Sequence, residues 1–258
     1  MKTEDLSIDE RRKHIVELLN QQGKIKVAEL SAYYGISEVT IRNDLDELEK
    51  QGLLERVHGG AVTTYRSYYN MDLLERAKTN EVEKRKIAES ISKLICNGDT
   101  LMINAGTTTL YVVEYLREFK NLVIVTNSIA IAQEADRHKN FELILLGGSI
   151  NGQYQFTHGD ETISQIKKYK VDKLILAADG VSAEEGITTG FATEAEIDRQ
   201  MIRRASKTIL ACDYTKIGRI GFANIDPVES IDYLVTTESA VHAELEEIAA
   251  RGVEIVLA

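Results

Sequence analysis

Cysteine is nearly absent. Cys96 and Cys212 lie far apart, without a CxxC and with no histidine at ligand spacing, which excludes a disulfide framework and a cysteine-based zinc site. No metal and no cofactor is expected. Long apolar runs are missing too. Nothing approaches the roughly eighteen residues that a spanning helix requires, and the opening MKTEDLSIDERRK lacks the apolar stretch of a leader peptide. No membrane partner is expected, and two reduced cysteines fit a cytoplasmic protein. Positive charge is also in deficit. The formal net charge is −10, and even residues 1–62 carry nine Lys and Arg against twelve Asp and Glu. A global electrostatic grip on nucleic acid is thereby excluded, so only the placing of individual cations can supply phosphate contacts. With 43% hydrophobic and 28% charged residues, the 258-residue chain has the composition of an ordinary globular protein with room for two domains.

What is present is concentrated first in residues 7–62. Ser7 and Glu10 are spaced as a capping box, and Ile15, Leu18 and Leu19 recur at helical spacing until Gly23 ends a first helix. Lys24–Lys26 reads as a short extended piece, and Val27–Tyr34 as a second helix stopped at Gly35, the residue a tight inter-helix turn needs. Ser37 is placed to cap a third helix. Ile41, Leu45 and Leu48 of that helix face a core, while Val39 and Asn43, flanked by Glu38, Thr40 and Arg42, face outward. Such a set suits base reading: Arg bonds guanine bidentately, Asn does so to adenine, and Val touches a thymine methyl. Ser37 and Thr40 suit phosphate contacts near the helix N-terminus. Gly52 ends the helix, and residues 53–65 around Gly59-Gly60 read as a hairpin. Arg56 and His58 are expected at its tip, within reach of the DNA backbone or minor groove. The bland alternative is a helical module that binds protein, with Arg42 and Arg56 merely solvated.

The run GKIKVAELSAYYGISEVTIRNDLDELEKQGLLERVHGGAV, with its TIR-x-DL-x-x-LE and G-x-L-x-R-x-HGGA spacings, resembles the DeoR-type helix-turn-helix of bacterial transcriptional regulators over about residues 7–62. The resemblance implies double-stranded operator DNA as partner, with residues 24–43 as the helix-turn-helix and Ser37 opening the recognition helix. That family usually reads TIRRDL, whereas this chain has Asn43 after Arg42, so no relative's operator sequence is transferred. The expected organisation is a winged helix-turn-helix over residues 1–65, a linker over 66–80 and a sensing α/β domain over 81–258. Within residues 63–79, Tyr65, Tyr68 and Tyr69 read as packing residues of a hinge rather than as base-stacking groups.

From residue 81 the chain alternates helix and strand. Ile87, Ile91, Leu94 and Ile95 form a helix stripe closed by Gly98. Short apolar runs follow at 100–104, Leu122–Thr126, 142–146, 173–177, 208–212, Tyr233–Thr236 and 253–257, mostly separated by amphipathic stretches. Buried strands alternating with helices predict a mostly parallel sheet covered on both faces. Ligands of such sheets bind beyond the carboxyl ends of the strands. The residues there are Gly106, Thr107, Thr108 and Thr109, then Asn127-Ser128, Gly147-Gly148, Asp179-Gly180, and Asp213 with Lys216. Glycines, hydroxyls and one cation suit a phosphorylated polyol. The GTTT loop opens a helix whose amides and dipole can hold phosphate, or a Thr there simply caps it. It lacks the spacing of a nucleotide P-loop or of a dinucleotide site.

The segments NAGTTTLYVVEYL, LVIVTNSIAIA, LILLGG, KVDKLILAADGVSAEEGITTG, TEAEIDRQMIRRA and CDYTKIG resemble the DeoR-type effector domain, related in fold to ribose-5-phosphate isomerase and glucosamine-6-phosphate deaminase. The resemblance implies a ribose-phosphate-isomerase-like α/β fold and a sugar-phosphate effector, with Gly106–Thr109 toward the phosphate and Asn127, Asp179 and Lys216 lining the site. Those isomerases use a DGAD-like acidic pair and a downstream Glu as base. Here Val181-Ser182 follows Asp179-Gly180, and Glu194 reads as a first-turn acid favoured by the helix dipole. No catalysis is expected. The expected function is repression of a carbohydrate-utilisation operon by at least a dimer, relieved by a sugar phosphate. Alternatives are an active isomerase or deaminase carrying a DNA-binding domain, and a regulator whose DNA affinity rises with ligand.

Overall fold

The computed structural model describes residues 7–22, 24–62, 71–138 and 141–258. The chain's own contacts divide it into two units, Met1–Asn80 and Glu81–Ala258, and each is considered by itself.

In the first unit, α1 (Ile8–Gln22) begins at the expected capping box. Glu10 N–H donates to Ser7 Oγ (3.3 Å), and Ser7 N–H donates back to Glu10 Oε2 (3.0 Å). These bonds hold the Glu10 carboxyl below its ordinary pKa. Ile15 and Leu19 are buried and Leu18 is half-buried; Gly23, the expected stop, lies outside the described residues. Next come β1 (Lys24–Lys26) and α2 (Val27–Tyr34), which ends with Gly35 left-handed at φ 66°. The third helix, α3 (Glu38–Lys50), is capped by Ser37 and buries Ile41, Leu45 and Leu48 as the spacing required. The hairpin is β2 (Glu55–Val57) and β3 (Gly60–Val62). Its inner strand also pairs antiparallel with β1, Ile25 opposite Ala61, so the sheet has the order β1-β3-β2. Both of those residues are buried against the helices' core.

The expected linker is partly folded. The three tyrosines of the hinge reading lie outside the described residues. Beyond them α4 (Leu73–Lys78) is a helix of the first unit rather than a connector. Asp72 accepts from Glu75 N–H at 2.9 Å and its own N–H donates to the Glu75 carboxylate at 3.0 Å. With Leu73 and Ala77 buried, local capping and one apolar face suffice to order it.

The second unit opens with α5 (Glu81–Ser92). Its seven-stranded sheet consists of β4 (Thr100–Ile103), β5 (Leu122–Thr126), β6 (Phe141–Leu145), β9 (Val171–Leu176), β12 (Ala205–Ala211), β14 (Tyr233–Thr236) and β15 (Glu254–Leu257). The order is β15-β14-β12-β9-β4-β5-β6, and every adjacent pair is parallel. All seven strands fall on the apolar runs. Consecutive residues such as Leu101, Met102 and Ile103, or Leu174, Ile175 and Leu176, are fully buried, which requires cover on both faces. The connecting helices are α6 (Thr107–Tyr115), α7 (Ile129–His138), α8 (Asp160–Ile166), α9 (Ala192–Arg204) and α10 (His242–Ala250). Five short strands were not expected: a hairpin of β7 (Ser149–Asn151) and β8 (Phe156–His158), and a small sheet of β10 (Gly180–Ser182), β11 (Gly186–Thr189) and β13 (Ala223–Asp226). The chain builds outward from β4 to β6 and then returns to add β9 on the other side of β4. The β4/β9 boundary is therefore a topological switch point, where a crevice opens beyond the carboxyl ends. Among the described residues no helix is long and apolar enough to cross a membrane.

Candidate functional sites

On the first unit the candidate surface is the outward face of α3. Val39 is 62% exposed, and Glu38, Arg42 and Asn43 are exposed beside it. Arg42 Nη2 donates to Glu38 Oε2 at 2.5 Å, one turn away on the same face. Ser37 Oγ accepts from Thr40 N–H (3.2 Å) and lies 2.9 Å from Thr40 Oγ1. Ser37 and Thr40 thus serve each other, and a phosphate would have to compete with that pair.

Arg56 corrects the sequence reading. It is not at the tip of the hairpin; the turn is made by His58, which is exposed, and Gly59. The Arg56 side chain folds back on α3, where Nη1 donates to Asp46 and to Arg42 O (3.2 Å) and Nε to Gly60 O (3.2 Å). Three acceptors supplied by α3 and β3 outcompete solvent for one planar donor group. The hairpin is thereby fixed to the helix it flanks.

Asp44 was missed. It sits on the core face of α3, 2% exposed, and accepts from Arg11 Nε at Oδ2 (2.7 Å) and Arg12 Nε at Oδ1 (2.9 Å). Two arginines of α1 therefore set the position of α3. The sequence signal was a charged residue lodged between Ile41 and Leu45 in the core stripe.

On the second unit, the residues expected to gather do share one edge of the sheet. Gly106 is the N-cap of α6 and supplies no side-chain cap, so the alternative of a capping Thr does not apply. A Cβ at Gly106 would stand 2.5 Å from Ala177 Cβ, so the glycine lets the α6 turn close on the strand β9 exit. Thr107 and Thr108 are largely buried in the first turn. Thr109 is a correction. Its hydroxyl points into the chain, within donating distance of Asn104 O (2.9 Å) and Gly106 O (3.0 Å), and so shapes the loop instead of facing a ligand. Gly180 is a second correction: it lies in β10, and a Cβ there would sit 2.2 Å from Arg219 O. Its part is close packing. Asp179 Oδ2 accepts from Gly190 N–H (2.9 Å) and Thr189 Oγ1 (3.2 Å), and the same hydroxyl lies 2.5 Å from Glu194 Oε2. Asn127 donates to Thr157 O at 3.1 Å, while its buried Oδ1 has no partner.

Lys216 closes a turn begun by Asp213, whose Oδ1 accepts from Thr215 N–H (3.0 Å) and Thr215 Oγ1 (2.5 Å). Both are buried, and so is Lys84 of α5, at 2% exposed. Burial pushes the Asp213 carboxyl up, but the charges of Lys216 and Lys84 and the Thr215 bonds outweigh it, and the net shift is downward. Lys84 and Lys216 thus both act on the one buried Asp213 carboxylate, and two buried lysines at one place suit an anion. Lys84 was missed although it lies on the stripe with Ile87, Ala88 and Ile91. Asn104 was missed also. At the switch point it clamps the two central strands: Nδ2 donates to Ala177 O (2.9 Å) and Oδ1 accepts from Ala177 N–H (2.8 Å). Burial drives the thiol of Cys212 up to about 12, so the only cysteine near this edge is inert. Among the described residues no group of His, Cys, Asp or Glu is arranged to hold a metal ion.

Residues 11–66 match the DeoR-like helix-turn-helix domain and residues 79–238 the DeoR C terminal sensor domain. The glycerol-3-phosphate regulon repressor of Escherichia coli K12 is 32% identical, over 88% of this chain and 90% of the relative. The regulator GolR of Listeria innocua is 34% identical over 88% and 89%, and GlpR of Haloferax volcanii 33% over 96% and 96%. Among solved structures, a ribose 5-phosphate isomerase of Methanocaldococcus jannaschii is similar over 54% of this chain and 55% of its own, with 18% identity and a TM-score of 0.40. With both domain models matched in order and identity above 30% across most of each relative, the chain belongs to the DeoR family, a DNA-binding transcriptional regulator with a sensor domain and not an enzyme.

Proposed function

We propose that this regulator represses a carbohydrate-utilisation operon from the cytoplasm, that residues 7–62 read its operator, and that a phosphorylated sugar held by residues 81–258 relieves repression. The observation that carries the sensor reading is the buried Lys84–Asp213–Lys216 group past the end of β12, in a parallel sheet whose β4 leads into the uncapped first turn of α6. Helix amides and lysines are the usual receptors of a phosphate. In this reading Gly106, Thr107 and Thr108 meet the phosphate with Lys216 and Lys84, and Asn127 and Asp179 meet the sugar. Relatives named for a glycerol-3-phosphate regulon support the ligand class. Operators with two half-sites require at least a dimer. The ligand acts by favouring one arrangement, typically by about 1–3 kcal/mol of coupling.

Selection of bound genomic fragments at physiological salt, repeated with a panel of sugar phosphates, tests the reading. One enriched promoter released by one compound supports it; no enriched fragment overturns it. A fragment retained more tightly with ligand would replace the inducer by a corepressor.

Arg42 is assigned to a base edge and Glu38 to its restraint. Arg42→Ala is expected to cost about 1–3 kcal/mol on the operator and to change the preferred sequence; an equal loss on every duplex makes it a phosphate contact. Glu38→Gln frees Arg42 and removes a negative charge facing the DNA. Affinity for non-operator duplex is expected to rise, with a salt dependence steeper by about one phosphate contact. A titration at several salt concentrations decides, and an unchanged slope removes Glu38 from the interface.

A further inference from the structure

At the switch point one carboxyl oxygen has nothing to bond. Asp198 of α9 is 1% exposed. Its Oδ1 accepts from Asn104 Nδ2 at 3.1 Å, and its Oδ2 is buried without a hydrogen-bond partner. An orphaned carboxyl oxygen is costly, so its retention points to a group that arrives from outside. Its surroundings define that group. Glu194 lies one turn earlier on the same face of α9, and Thr189 Oγ1 joins Glu194 to Asp179. Besides the neutral Asn104, the groups that act on Asp198 are these two carboxylates. The neighbouring cation of the helix, Arg199, is engaged elsewhere, with Ile225 O (2.7 Å), Asn224 O (2.8 Å) and Glu196. The three carboxyls are not arranged to hold a metal ion.

We propose that Asp198, with Glu194 and Asp179 beside it, receives a primary ammonium group of the effector, so that the ligand is a phosphorylated amino sugar rather than a neutral polyol phosphate. This rests on the sugar-phosphate reading of the sensor. An ammonium brings three donors and a positive charge into a pocket of three carboxyls, and each charge-assisted bond is stronger there than in water. A hydroxyl at the same position brings one donor and leaves the negative neighbours uncompensated. Burial first, and then Glu194 and Asp179, hold the Asp198 pKa well above its ordinary value. An arriving ammonium would supply the donor that Oδ2 lacks.

The test is calorimetric titration of the full chain with matched pairs: glucosamine 6-phosphate against glucose 6-phosphate, and galactosamine 6-phosphate against galactose 6-phosphate. In at least one pair the amino compound is expected to bind more than tenfold tighter. Asp198→Asn, which keeps the shape and removes the charge, is expected to reduce that preference to within twofold. Equal affinities within each pair, or a preference that survives Asp198→Asn, overturn the inference and leave the sugar-phosphate reading standing. Failure of every phosphorylated compound to bind sinks both. If Asp198→Asn does not fold, the wild-type protein still decides, because equal affinities within both matched pairs overturn the assignment.

Discussion

Asp44→Ala is expected to abolish operator binding and to melt the N-terminal unit well below its ordinary temperature. Asp44 takes both carboxylate oxygens to two arginines of α1, and its side chain is 3% exposed against 12% for Arg11 and 27% for Arg12. Removing one partner of a buried ion pair costs about 3–5 kcal/mol, because the remaining charge is left in a site water cannot reach. Here Arg11 and Arg12 lose their shared acceptor together, but at 12% and 27% exposure both keep some contact with water, which brings the cost down to about 2 kcal/mol. A unit of this size shifts by roughly 4–8 °C for each kcal/mol, so the expected fall in melting temperature is roughly 8–16 °C. The functional loss follows from geometry as well as from stability. Arg11 and Arg12 hold the buried face of α3, and the opposite face presents Val39 and Asn43. Tilting α3 displaces every outward side chain together. Asp44→Asn keeps the shape and both acceptor directions in part, so it is expected to fall between Asp44→Ala and the wild-type chain. Circular dichroism melting and operator titration at one salt concentration measure both effects. An Asp44→Ala chain that melts within about 3 °C of the parent would remove the clamp as the determinant of α3 position.

That Asp44 escaped the sequence reading, while Ile41, Leu45 and Leu48 did not, shows what helical periodicity carries. It identifies the buried face by its apolar majority and passes over the charged minority on the same stripe. Lys84 beside Ile87 and Ala88, and Asp198 among Ala195, Ile197, Met201 and Ile202, repeat the pattern. All three are buried charges with long-range partners on other elements, which no local window contains. The seven central strands were legible for the converse reason. Strands buried on both faces are unbroken apolar runs, and glycines and polar residues mark their ends. The five short strands have three or four residues each, and their pairing depends on distant backbone: Thr188 of β11 finds Asn224 of β13 only after a register shift. Position along the chain told which residues reach the carboxyl edge, because a parallel sheet puts every strand exit on one side. It could not tell where a side chain turns after arriving. Thr109 turns inward to two carbonyls, and Arg56 turns back to Asp46, ten residues away in sequence.

Lys216→Ala is expected to remove the response to effector while operator affinity in its absence is retained. The lysine is 5% exposed, ends the short 3-10 turn Tyr214–Lys216 that follows β12, and with Lys84 holds the Asp213 carboxyl below its ordinary pKa against the cost of burial. Without Lys216 the site loses one of the two buried lysines that act on Asp213, and a phosphate arriving at the first turn of α6 meets a weaker attraction. A loss of at least a hundredfold in effector affinity is expected, since a charge-assisted bond and its long-range field vanish together. The same change leaves a mark on stability whose sign is fixed by the direction of the shift. A carboxyl with a depressed folded pKa contributes stability above its unfolded value, near 3.9, and loses that contribution as pH falls through the folded value. The deficit of Lys216→Ala against the parent is therefore largest near neutral pH and shrinks as pH falls below about 3.9, vanishing only beneath the folded value, where Asp213 is protonated in both states. Denaturant titrations from pH 7 down to the most acidic pH at which the parent stays folded read the stability effect, and release of operator by sugar phosphate reads the functional one. A full effector response in Lys216→Ala would remove this lysine from the ligand site, and a deficit independent of pH would sever its link to Asp213.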